Sequence, residues 1–232
     1  MKDVMLSLYD LTGVMAEPWL TAGYECWIVD LQHKPGIHRD SKNPNLVRVG
    51  ADLRNGWMPP KEIVNRIGFL MGFPECTNVA VSGAAHFIKK GPRGLALGLE
   101  LFATCRELGE WLEVPYAIEN PISTLSSYCG KPDHIFNPYE YGGYLPENDR
   151  HPRWPDYIAP RDAYPKKTCL WVGGGFVMPE KKPVEPEEGF SRQHNKLGGK
   201  SLKTKNIRSA TPRGFAQAVF ESNGQRLLRS AA

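Results

Sequence analysis

The stretch Phe73-Pro74-Glu75-Cys76-Thr77-Asn78-Val79-Ala80-Val81-Ser82-Gly83 follows directly on an apolar run that begins at Ile67, and it ends in a glycine turn. An apolar run of that length reads as a buried strand that delivers Cys76 to a loop. Downstream, Gly91-Pro92-Arg93-Gly94 opens the clearest helical pattern in the chain, Leu95 to Trp111, with Leu97, Leu101 and Leu108 among its apolar positions. The strand-like run Val114-Pro115-Tyr116-Ala117-Ile118 then ends in Glu119, 43 residues after Cys76, with Asn120-Pro121 behind it. Strand, cysteine loop, helix, strand and glutamate make a βαβ unit, which brings both groups to one edge of a sheet. A thiol and a carboxylate so placed are what covalent chemistry on a polar ring requires.

Upstream, the same pattern of strand and acid recurs. Val4 to Leu8 reads as a buried strand leading to Asp10, and Leu11-Thr12-Gly13 starts the loop into a short helix near Pro18-Trp19. Glu25-Cys26-Trp27-Ile28-Val29-Asp30 and Leu46-Val47-Arg48-Val49-Gly50-Ala51-Asp52 are two further strands closed by an acid, separated by a polar connection over residues 33 to 47. Pro59 to Arg66 suggests one more short helix. In open α/β sheets ligands sit outside the carboxyl ends of the strands, and a second-strand acid commonly holds ribose hydroxyls. Asp30 suits that role, with Asp10, Gly13 and Asp52 around it. Strand-end aspartates also cap the loop that follows, so the residues alone leave both readings open.

The 232 residues suffice for one sizeable core, and the chain reads as one α/β domain with a loop-rich second half. The five cysteines, Cys26, Cys76, Cys105, Cys129 and Cys169, are scattered, which argues against a disulfide scaffold or structural zinc, and no metal is expected. No apolar run approaches the roughly 20 residues that span a bilayer, and Met1 to Leu6 enters a strand pattern without a cleavage signal; a cytoplasmic protein without a membrane partner is expected.

Beyond Pro121 the composition shifts. Residues 130–165 are rich in Pro, Gly and aromatics, including Tyr139, Tyr141, Tyr144, Trp154, Tyr157 and Tyr164, and read as an ordered insertion or lid over the core of residues 1–129. Its rings suit stacking on bases or packing of the loop onto its own domain. Lys166 to Val172 reads as a strand returning to the core, within a core segment 166–178. Residues 179–207 follow as a proline-rich and then basic loop, and residues 208–232 as a C-terminal helix completing the core. From Gly189 to Phe220 there are seven Lys/Arg and no Asp or Glu, so Lys196, Lys200, Lys203, Lys205 and Arg208 are candidate phosphate contacts or a solvated basic face.

This succession of motifs resembles the DNA cytosine-5 methyltransferases, particularly compact phage-encoded members. Cys76 and Gly83 keep the spacing of that family's catalytic loop, and Glu119-Asn120-Pro121 is similar to its Glu-Asn-Val motif. Asp10-Leu11-Thr12-Gly13 resembles the first motif, Asp30 and Asp52 the acids after the second and third strands, Lys166-Lys167-Thr168 the basic strand motif, and Arg208 to Pro212 the late Arg-x-x-Thr motif. The resemblance covers roughly residues 4 to 220. It implies a Rossmann-like sheet that binds S-adenosylmethionine through Asp10, Leu11, Thr12, Gly13, Asp30, Asp52 and Pro74.

The resemblance also implies a chemistry. Cys76 adds to carbon 6 of cytosine, Glu119 binds the ring nitrogen and amino edge, and Asn120, Lys166 and Thr168 support the site. The base must be flipped out of a duplex or already single-stranded. Several positions depart from the family: Glu75 and Thr77 flank the cysteine instead of Pro and Gln, Lys166 and Thr168 replace paired arginines, and the large recognition domain is absent. The expected partner is DNA. The same chemistry on a free pyrimidine nucleotide or RNA, and a non-catalytic DNA-binding scaffold, are the alternatives.

Overall fold

The computed structural model describes residues 2–198 and 201–229. An eight-stranded mixed sheet forms the centre. Its strands in chain order are β1 (Val4–Leu8), β2 (Glu25–Val29), β3 (Gly36–Arg39), β4 (Leu46–Gly50), β5 (Ile67–Gly72), β6 (Tyr116–Pro121), β7 (His134–Phe136) and β8 (Thr168–Gly173). They lie in the order β3-β4-β2-β1-β5-β6-β8-β7. β4, β2, β1, β5 and β6 are parallel neighbours, while β8 runs antiparallel to both β6 and β7. β1 and β5 are buried at every position, as expected of central parallel strands covered on both faces.

Alternation along these strands sorts the core into two layers. Val4, Leu6, Leu8, Trp27, Val29 and Leu70 pack toward α2 (Lys61–Val64) and α3 (Phe87–Leu112). Met5, Cys26, Ile28, Phe69 and Met71 pack on the other face against α1 (Glu17–Thr21) and α7 (Arg213–Arg229), where Trp19 stacks on Phe69 at 4.8 Å. Three short helices complete the set: α4 (Leu125–Tyr128), α5 (Arg192–Lys196) and α6 (Leu202–Arg208).

Several expectations are corrected. The polar connection 33–47 contains β3, an exposed strand paired antiparallel to β4. The insertion 130–165 is not a separate lid: it supplies the edge strand β7, and Phe136 and Tyr141 stack into the core with Phe215 of α7. Residues 179–207 are not a loop throughout, because they carry α5 and most of α6, and Lys182 and Val184 are hydrogen-bonded to the backbone of residues 139–143. The C-terminal helix starts at Arg213, and Arg208 instead closes α6. Helix α3 begins earlier than Leu95 but breaks at Gly91, whose φ of 63° with ψ of −171° is a conformation essentially reserved for glycine.

Candidate active site

In the parallel half of the sheet the strand order reverses at β1, with β2 and β4 laid to one side and β5 and β6 to the other. At such a switch point the loops leaving the carboxyl ends of neighbouring strands separate and open a crevice. The loop after β1 carries residues 9–13, and the loop after β5 carries Pro74, Glu75 and Cys76.

Backbone bonds from Val79 and Ala80 to the Cys76 carbonyl, at 3.0 and 2.8 Å, fold the cysteine loop into a tight turn. Asn120 Nδ2 donates to the Pro74 carbonyl at 3.0 Å, fixing that loop to β6 across 46 residues of sequence. Glu119 lies within β6 and not at its end, paired in register with Leu170 of β8, while Asn120 faces Cys169 and Pro121 faces Thr168. Alternation therefore puts Glu119 and Thr168 on one face and Asn120 on the other. Thr168 is buried and donates its hydroxyl to the Lys166 carbonyl at 3.0 Å. Lys166 precedes β8; its backbone N–H is held by Asn137 at 3.1 Å and its ammonium reaches the Arg208 carbonyl at 3.3 Å.

The charges at this edge act on one another. Burial pushes the Cys76 thiol up, the Glu119 charge adds to that, and the Lys166 ammonium pulls it back. Burial also pushes the Glu119 carboxyl up, again opposed by Lys166. A carboxyl so raised is suited to hold a proton and donate it to a ring nitrogen. Asn120 Oδ1, buried on the strand that bears Glu119, has no hydrogen-bond partner among the described residues.

The sequence-derived cofactor residues fall into two groups. Asp10 is buried and spent on its own loop: Oδ1 accepts the N–H groups of Thr12 at 3.0 Å and Gly13 at 2.7 Å, and Oδ2 accepts the Ser7 hydroxyl at 2.8 Å. Its task is to shape the turn at Leu11, Thr12 and Gly13, where φ is +71° at the glycine. Asp52 caps the following turn and is paired with the Arg54 guanidinium, which holds its carboxyl below the usual range. Asp30 is different. It is half-buried at the end of β2, burial pushes its carboxyl up, and Oδ1 accepts the Gln32 N–H at 2.7 Å. His33 Nε2 donates to the Asp10 carbonyl at 3.0 Å and ties the β1 and β2 loops into one rim.

Of the candidate phosphate contacts, Lys205 reaches the Cys76 loop, 3.8 Å from Glu75, and Lys203 lies over the Tyr157 ring at 5.8 Å. Lys196 bonds the Asp156 carbonyl at 2.9 Å, and Arg208 is turned inward onto the Leu197 carbonyl at 2.6 Å. Lys200 lies outside the described residues. The segment carrying these cations thus leans on the aromatic insertion and reaches over the Cys76 edge.

Sequence reasoning missed Tyr164 as a site neighbour and Gln193 altogether. Tyr164 is buried; burial, and then the charges of Asp162 and Glu119, push its phenol well up. Its only sequence signal was membership of the aromatic insertion, and Gln193, buried in a basic stretch, gave none. Compared with known proteins, the chain matches no protein-family model and no curated sequence.

Proposed function

We propose that the protein transfers a methyl group from S-adenosylmethionine to carbon 5 of cytosine in DNA through a covalent adduct on Cys76. The observation that carries this reading is the Asn120–Pro74 hydrogen bond, which clamps the cysteine loop to the strand bearing Glu119. The charges of Glu119 and Lys166 both act on the Cys76 thiol, and Lys166 acts on Glu119 in turn. The strand order, doubly wound around β1, accords with the Rossmann-like sheet that the motif resemblance implies.

The residues present fit the cofactor at its ribose: Asp30 stands at the end of the second strand, half-buried, and the turn shaped by Asp10 at Leu11 to Gly13 leaves the neighbouring strand β1. Pro74 borders the same crevice. Asp52, engaged by Arg54, is the weaker partner. When bound, the cofactor supplies an electrophilic methyl group.

The chain's own groups prepare the base. Lys166 favours the thiolate of Cys76, whose electron pair forms the bond to carbon 6. Glu119 donates its proton to the ring nitrogen, so that the charge created by the addition is neutralised. Carbon 5 thereby gains the electron density to take the methyl group. Loss of the carbon-5 proton to water lets the C–S bonding pair return to sulfur, and the ring-nitrogen proton returns to Glu119, which frees the neutral product and the thiolate. The Lys203 and Lys205 cations supply charge for phosphates near this edge.

The test is incubation of the purified protein with labelled S-adenosylmethionine and, separately, duplex DNA, single-stranded DNA and dCMP, followed by nucleoside mass spectrometry. Cysteine-dependent 5-methylcytosine in polymer, absent from Cys76→Ala, is the expected result. Product on dCMP alone would reassign the substrate to the free nucleotide, and no product on any substrate would refute the transferase reading.

A further inference from the structure

Helix α3 leaves the Cys76 loop where Gly98 meets Val79, and Trp111 lies about 20 Å further along its axis. There Trp57, Met58, Leu108 and Trp111, with Glu100 and Glu107, line an open groove of about 460 Å³ between α3 and the turn Leu53–Asn55. Trp111 is 54 % and Met58 48 % exposed, while Trp57 and Leu108 lean on the core behind them. Scattered exposed apolar residues are ordinary, but a tryptophan and a methionine sharing one charged-rimmed groove mark a surface on which another molecule packs.

The uncompensated charge around the groove is of one sign. Arg54, the single cation on its wall, is bound to Asp52. Glu100 and Glu107 are exposed and form no ion pair among the described residues. Arg106 is turned away onto the Phe102 ring and the Cys129 carbonyl. Glu107, Glu110 and Glu113 also crowd the C-terminal end of α3, whose last turn has no basic residue. The helix dipole disfavours carboxylates there and favours cations. Such a rim repels phosphates and anionic lipid and attracts a basic partner. The spacing narrows the choice further. Seven residues of helix set Glu100 and Glu107 about 10 Å apart along the axis. In a polyproline II segment, residues three apart lie on one side at about 9 Å, whereas in a β-strand they point to opposite faces.

We propose that this groove docks a proline-rich segment of a partner protein, carrying two basic side chains three residues apart that pair with Glu100 and Glu107. The prolines between them pack on Trp111, Met58 and Trp57, as proline rings do in aromatic-lined grooves, and the preformed polyproline helix limits the entropy lost on binding. The tryptophan faces add attraction for the cations. Because the groove lies at the far end of α3 from the Cys76 loop, the docked segment leaves the Cys76 crevice open. The contact is independent of the transferase reading.

The experiment is titration calorimetry of the full-length protein with the synthetic peptide Pro-Arg-Pro-Pro-Arg-Pro at low salt, where exposed ion pairs are least screened. The expected Kd is on the order of 100 µM, about tenfold weaker in Trp111→Ala, close to wild type in Trp111→Phe, and about fivefold weaker in the double variant Glu100→Gln/Glu107→Gln. A peptide with both arginines replaced by glutamate should not bind, and one with its two arginines adjacent should bind about fivefold more weakly. No binding by the wild type at millimolar peptide, or equal affinity in Trp111→Ala and the double variant, overturns the docking site. Equal affinity for the adjacent-arginine peptide overturns the match in spacing on which the proposal stands. Equal affinity for spermidine overturns the proline-rich partner and makes the groove a site for a small organic cation.

Discussion

Asp162 offers a measurable consequence of burying a charge. It is 2 % exposed, sits at φ +50°, and accepts the Gly214 N–H at 2.9 Å, where it caps the start of α7. Burial pushes its carboxyl up to about 6 from an ordinary 3.8. The folded protein therefore holds a proton that the unfolded chain has lost, and stability from this group disappears as pH rises from about 4 to about 6, by about 3 kcal/mol.

His151, which shares Arg213 and Asp149 with it as charged neighbours, works in the opposite sense. Its Nδ1 accepts the N–H groups of Arg153 at 3.2 Å and Trp154 at 3.0 Å, and burial, with Arg213 nearby, pushes it down to about 4. Its contribution is present above the ordinary histidine value near 6.5 and is lost as pH falls toward 4, again by about 3 kcal/mol. The two contributions nearly cancel, so the wild type should show a shallow stability profile from pH 4 to 6.5. Asp162→Asn keeps the acceptor for Gly214, suits a positive φ, and removes only the carboxyl titration. The variant should be up to about 3 kcal/mol more stable than wild type at pH 8, and should lose about as much on acidification from 6.5 to 4. Urea midpoints across that range provide the assay. Parallel profiles for the two proteins, or a less stable variant at pH 8, would refute the reasoning.

Lys166→Met removes the cation that opposes burial at Cys76, so the alkylation rate of that thiol by iodoacetamide should shift to higher pH; an unchanged profile would show that Lys166 does not act on the sulfur. Asn120→Ala breaks the clamp on Pro74 and should cost about 1–2 kcal/mol in thermal or urea unfolding; an unchanged midpoint would show that the bond does not hold the loop. Gly214→Ala places a Cβ 2.3 Å from the Tyr141 carbonyl and should destabilise by about 1–3 kcal/mol, measurable by denaturation.

The parallel strands were legible because buried strands are short apolar runs, and the crossover from β5 to β6 because a long helix lies between them. β3 was not, since Gly36-Ile37-His38-Arg39 is an exposed edge whose pairing with β4 leaves no apolar signature. β7 was hidden by its three-residue length inside an aromatic stretch. The acids after the strands looked equivalent in sequence, yet Asp10 closes its own turn, Asp52 meets Arg54 two residues on, and Asp30 is held by Gln32. That division depends on loop geometry, which composition does not encode. The aromatic insertion turned largely to packing, because Tyr141 and Tyr164 fill space between α7, the sheet and the basic segment.

The union of α1 with α7 has a consequence for how the chain is made. The Tyr24 hydroxyl donates to the Gly224 carbonyl across 200 residues of sequence, and Trp19 meets Phe220 at 5.3 Å. During synthesis, residues 4–29 leave the ribosome long before the residues that cover them, so a nascent chain lacking α7 carries Trp19, Phe69 and Phe136 on an open apolar face. Such a face is a binding surface for chaperones and a route to aggregation until residues 213–224 emerge.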